Sequence, residues 1–98
     1  MNLDIQHEEG KRFYATFGDD GDEVAEVSYS EAGDRTRDFR HTYVPQELRG
    51  RGIAEKLVRH ALDDTKRRGY RYIASCSYVA RFVQKHPEYQ ESLAQSNA

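Results

Sequence analysis

The hydrophobic period of this chain changes at Pro45, and that change limits the folds open to it. Before Pro45, apolar side chains recur at every second residue, the spacing of strands with one buried face. "KRFYATF" sets Phe13, Ala15 and Phe17 against Arg12, Tyr14 and Thr16, and "VAEVSYS" puts Ala25, Val27 and Tyr29 on one side. "TRDFRHTYV" does the same for Phe39, His41 and Tyr43. "GDDGDE" and "EAGDR" read as turns and "LDIQH" as an edge strand. After Pro45, Ile53, Leu57, Ala61 and Leu62 fall on one face at helical spacing, and Gly69 closes that helix. "YRYIASC" is a short strand; Val79, Phe82, Val83 and His86 then mark a second helix, stopped by Pro87. Four strands, a helix, a strand and a helix predict an α+β fold. Its sheet is mainly antiparallel, of about five strands, with two helices packed on it.

Ninety-eight residues make one domain of common size. No apolar run approaches the roughly 20 residues of a membrane span, and "MNLDIQHEEGKR" lacks the pattern of a secretory signal. A single cysteine makes no internal disulfide. The expectation is a cytoplasmic monomer. The net charge of −2 hides an asymmetry: residues 1–34 hold ten acidic and two basic side chains, residues 35–98 thirteen basic and seven acidic. A second half of that kind draws anionic ligands if it presents its charges together. A small phosphorylated molecule suits its short loop better than nucleic acid does. The basic residues of the first helix are spread around it between Glu55, Asp63 and Asp64, and no second helix stands in helix-turn-helix relation to it.

The loop is "ELRGRGIAEKLV". A helix start leaves its first backbone N–H groups without partners, and their partial positive charge suits a phosphate. Glycine lets the backbone approach closely. Gly50 and Gly52 stand at this start, Arg49 and Arg51 add charge, and the small Ala54 leaves the approach clear.

Arg49, Gly52 and Ala54 resemble the pyrophosphate-binding pattern of the GNAT superfamily of N-acetyltransferases: Gln or Arg, two residues, Gly, one residue, Gly or Ala. "HTYVPQELRGRGIAEKLV" followed by "CSYVARFVQKHPEY" is similar to the small stand-alone YjdJ-type branch, over roughly Asp4 to Tyr89. The resemblance implies a minimal acyl-CoA N-acyltransferase fold as a single domain over residues 4–89, with a polar tail at 90–98. It implies acetyl-CoA as acetyl donor and an amine as acceptor, on a protein or a small molecule. It further implies that the fourth and fifth strands splay apart to admit the acetyl group. The coenzyme residues are then Tyr43 and Val44 on the incoming strand, Arg49, Gly50, Arg51, Gly52, Ile53 and Ala54 in the loop, and Ser75 and Tyr78 beyond the fifth strand.

Cys76, just before a helix, is placed to favour its thiolate. It can serve as base, as proton donor to the leaving thiol or as transient acetyl acceptor; the other reading is a small buried hydrophobe. His41 titrates near neutrality and suits general-base work, but a strand face shared with Phe39 and Tyr43 equally describes a packed core histidine. The branch commonly carries an acid where this chain has Tyr43. Larger GNAT enzymes often protonate the thiolate with a tyrosine where this chain has Val83, leaving Tyr78 or Cys76 to substitute. His86 and Tyr89 are expected to anchor the carboxy-terminal segment. The four histidines lack metal-ligand spacing, so no metal is expected. A coenzyme A-binding module with little catalysis is the alternative function.

Overall fold

Five strands form in the computed structural model, which describes residues 3–17 and 22–92. β1 (Leu3–Glu8), β2 (Arg12–Phe17), β3 (Asp22–Glu31) and β4 (Thr36–Tyr43) lie side by side in chain order, each antiparallel to the one before. A short 3₁₀ turn over Gln46–Leu48 leads to α1 (Ile53–Arg67), which carries the chain back so that β5 (Arg71–Ala74) pairs with β4 in parallel. α2 (Ser77–Lys85) and a second 3₁₀ turn (Pro87–Ser92) follow.

The alternation of the first half is the inner face of this sheet. Phe13, Ala15, Ala25, Val27, Tyr29 and Phe39 are all buried. α1 lays Ile53, Leu57, Ala61 and Leu62 over them, joined by Val58. α2 adds Val79, Phe82 and Val83 beside Tyr72 of β5. These side chains form one continuous cluster, giving two layers. Full burial of a large apolar side chain contributes about 1.5–3 kcal/mol. That makes the cluster the main stabilising term.

Three features depart from the sequence reading. The first is a bulge in β4. Tyr29 pairs with Phe39, but its neighbour Ser28 pairs with His41, so Arg40 is an extra residue. A one-residue insertion exchanges the two faces of everything beyond it. Hence Phe39 points into the core, whereas His41 and Tyr43 are exposed and Thr42 and Val44 turn inward. His41 is therefore no core histidine, and it does not share a face with Phe39.

The second is a buried charge. Arg37, 1% exposed, precedes Phe39 on the inner face, where its Nη1 donates to Asp64 Oδ2 and Thr65 Oγ1, both at 2.9 Å. The Tyr29, Tyr70 and Phe13 rings surround its guanidinium at 4.9, 5.2 and 5.5 Å. Burial alone would raise Asp64, but the Arg37 hydrogen bond and the charges of Arg68 and Arg37 hold its carboxyl below the ordinary range.

The third is the carboxy-terminal segment. α2 ends at Lys85 and His86 caps it, one residue short of the expected helix; Pro87 follows as the expected stop and opens the 3₁₀ turn. Tyr89 is buried; its hydroxyl donates to Asp63 Oδ1 at 2.7 Å, and its carbonyl accepts from Tyr72 Oη. Gln90 Nε2 donates to Val83 O at 3.1 Å, so the turn stays bound to α2 where a polar tail is expected to begin. Most of that tail, and residues 18–21 of the "GDDGDE" turn, lie outside the described residues.

Candidate active site

The parallel ladder between β4 and β5 runs from Thr36 opposite Arg71 to Phe39 opposite Ala74. One further bond, Cys76 N–H to Phe39 O at 2.9 Å, ends it. β5 stops there and the chain turns into α2, while β4 continues to Tyr43 with no partner on that side among the described residues. The strands part, as expected. A cleft of about 600 Å³ lies next to the unpaired stretch, with Thr42 of β4 and Val44 just beyond it on one wall and the start of α1 on the other.

That helix start explains the paired glycines. Gly50 (φ 84°) and Gly52 (φ 78°) both adopt the left-handed conformation, and Gly52 is the N-cap of α1. Other L-residues reach that region only at a cost of about 1–2 kcal/mol. A Cβ added at either position would meet no protein atom within 4 Å, so backbone conformation, not crowding within the fold, demands glycine. No side chain caps the helix. Backbone bonding leaves off with Arg49 N–H to Gln46 O at 3.2 Å and resumes with Lys56 N–H to Gly52 O at 3.1 Å. The amides of Ile53, Ala54 and Glu55 are the open first turn of α1, and all three residues line the cleft.

Arg49 does something the sequence did not suggest. Its Nε donates to Val44 O at 3.1 Å, tying the loop to the end of β4. Arg51 is exposed and does not line the cleft. The cleft thus gathers Val44, Arg49, Gly50, Gly52, Ile53 and Ala54 with Tyr78 from α2. It does not gather the side chains of Tyr43, which is 50% exposed, or of Ser75 and His41, which are also exposed.

Cys76 is the N-cap of α2 and is buried. Its Sγ lies 3.3 Å from Oγ1 of Thr42, which itself lines the cleft. Thr42 escaped sequence reasoning because unbroken alternation would turn it outward. Tyr78 presents its ring to the cleft, and burial, with the nearby charge of Glu55, pushes its hydroxyl upward, so it keeps its proton at neutral pH. Val83 is buried. Among the described residues no group of histidine, cysteine and carboxylate side chains is placed to hold a metal, and no helix is long and apolar enough to cross a membrane.

Fold and site together define a class: a sheet opened between parallel strands beside an uncapped, glycine-led helix start, suited to an extended anionic ligand. The pattern of the family described as GCN5-related N-acetyl-transferase matches residues 12–92, and the chain belongs to that family. Protein NATD1 of Bos taurus is 33% identical over 91 residues, covering 91% of this chain and 80% of the relative. The NMR structure of a GCN5-like protein from Staphylococcus aureus superposes with a TM-score of 0.74 at 27% identity, over 98% of this chain and 92% of the other. An IAA acetyltransferase from Bacillus cereus gives 0.57 at 25% identity, over 76% of this chain and 51% of the other. The chain is accordingly an N-acetyltransferase by family and fold.

Proposed function

We propose that the chain transfers an acetyl group from acetyl-CoA to an amine, using the cleft between β4 and α1. The observation that carries this reading is the open first turn of α1, uncapped and behind two left-handed glycines. Its Ile53, Ala54 and Glu55 amides would hold the diphosphate of the coenzyme. The unpaired edge of β4 at Tyr43 and Val44 would hold the pantetheine arm and donate a backbone N–H to the thioester oxygen, where negative charge develops in the transition state. In this assignment Tyr43 acts through its backbone.

Cys76 and Tyr78 are the groups for the leaving thiolate. Tyr78 holds a proton in the cleft; Cys76 sits where the strands part, and the Thr42 hydroxyl beside it orients its thiol. Direct transfer to the amine and passage through a Cys76 thioester use the same arrangement. His41 stands exposed on the outer face beyond the bulge. A base role for it requires the amine to arrive from that face, opposite the helices. We place the chain in the small stand-alone branch, with a protruding amine as acceptor.

Titration with acetyl-CoA, followed by backbone amide shifts, tests the site. Perturbations should cluster over residues 43–54 and 75–78. A panel of amines, with product detected by mass, tests the activity. A second reading, a coenzyme-binding module with little catalysis, draws support from buried Val83, at the position where larger relatives often carry a tyrosine. Turnover on any amine in the panel eliminates it.

A further inference from the structure

The cleft does not end at Glu55 and Tyr78. A smaller hollow of about 150 Å³ shares those two residues and continues along α2, lined beyond them by Arg81, Phe82, Lys85 and His86. Tyr78, Arg81 and Lys85 stand at i, i+3 and i+7, one stripe of the helix. Arg81 and Lys85 are exposed, and neither takes part in any ion pair among the described residues, whereas Arg59 and Arg67 of α1 and Arg68 at its end all do. The one carboxylate in the hollow, Glu55, lies 3.6 Å from Arg59 Nη2, which offsets its charge. Two free cations thus stand at the far end of a groove that begins at the amides of α1.

We infer that Arg81 and Lys85 form a subsite for a phosphate monoester, the 3′-phosphate on the ribose of the coenzyme. This rests on the reading that the diphosphate occupies the start of α1. The ribose follows the diphosphate directly, and its phosphate is the next charged group along the ligand. The hollow follows the helix start in the same way. A phosphate monoester carries nearly two charges at neutral pH. The planar fork of Arg81 and the mobile ammonium of Lys85 can engage two of its oxygens together. Neither Phe82, which is buried, nor the stacked His86, which directs Nδ1 at Phe82 O, 2.8 Å away, is free to select a base. The subsite therefore reads the phosphate, not the adenine.

The test compares coenzyme A with dephospho-coenzyme A, which lacks only that phosphate, by calorimetry on the wild-type chain and on the Arg81→Ala/Lys85→Ala double variant. Contacts of exposed cations are individually weak, so the expected preference of the wild-type chain for coenzyme A is about tenfold at low salt, shrinking as salt is added. The variant should bind both ligands alike, with the affinity the wild-type chain has for the dephospho form. Equal binding of both ligands by the wild-type chain, or a preference that survives in the variant, overturns the subsite. Failure of the wild-type chain to bind either ligand overturns the coenzyme reading itself, and the subsite with it.

Discussion

Gly52 is where conformation and ligand meet most directly. Alanine there must hold φ near 78° at a cost of about 1–2 kcal/mol, or relax and turn the first amides of α1 away from the cleft. Because the added Cβ meets no protein atom, Gly52→Ala should stay folded, with affinity for acetyl-CoA reduced about 5- to 30-fold, the same energy expressed as binding. Calorimetry beside a thermal melt separates the two effects; unchanged affinity would contradict the assignment of these amides. Cys76→Ala should behave oppositely, lowering turnover at least tenfold with coenzyme affinity changed less than twofold, if the thiol serves the leaving group. Single-turnover kinetics with a separate binding titration reads that difference. The two glycines were legible because few other residues tolerate their backbone. Thr42 was not: its place beside Cys76 depends on Arg40 standing outside the ladder, and a bulge there leaves no mark in the residue types.

At the scale of elements, β4 and α1 are joined by an ion pair as well as by apolar packing. Arg37 and Asp64 are both buried, and Asp64 also receives Arg68 Nε at 3.1 Å and Arg67 Nη2 at 3.0 Å. Removing one partner of a buried pair costs about 3–5 kcal/mol, because it leaves the other charge unpaired in a poorly solvated site. Asp64→Ala should fall in that range, measured by denaturant unfolding. Replacing Arg37 and Asp64 together with apolar residues of similar volume should cost much less. A small effect of Asp64→Ala alone would show that Glu9, 3.6 Å from Arg37 Nη2, already balances the arginine. This pair was partly legible. Arg37 has the same parity as Phe39, and Asp64 and Thr65 follow Ala61 by one helical turn, so the period is compatible with buried faces, although Asp64 reads as one of the charges around the helix. Their charge argued the other way, and only the tertiary pairing resolves that conflict. The apolar positions carried no such conflict, which is why the strands and the helix faces could be anticipated from the period, whereas the parting of β4 from β5 was implied by the family resemblance alone.

For the molecule as a whole, the same cluster sets how stability responds to acid. Burial lowers the His7 imidazole below its ordinary value of 6.5, against the opposing charge of Glu9, while Arg37 and Arg68 lower it further and Asp64 opposes them. The neutral ring bonds Tyr29 Oη through Nε2 at 2.7 Å and stacks on Phe13. The unfolded chain takes up this proton first, so stability is lost as pH falls from about 6.5. Asp64 has the same sign at lower pH. Its folded carboxyl lies below the ordinary range, so its contribution is full above about pH 4 and disappears as pH falls through the lowered value. The expected melting temperature, followed from about pH 8 to about pH 3, therefore declines in two steps. His7→Gln, which can keep a hydrogen bond to Tyr29, should flatten the upper step and leave the lower. Asp64→Asn should lower stability at neutral pH and shrink the lower step, leaving the part due to Glu8 and Glu9, whose carboxyls the Arg12 and Arg68 hydrogen bonds also hold below the ordinary range. Because the cluster and the cleft lie at opposite ends of α1, the upper step should leave coenzyme affinity untouched. Acetyl-CoA binding that weakened in parallel with the His7 titration would mean that acid loosens the whole helix, and with it the amides that face the cleft.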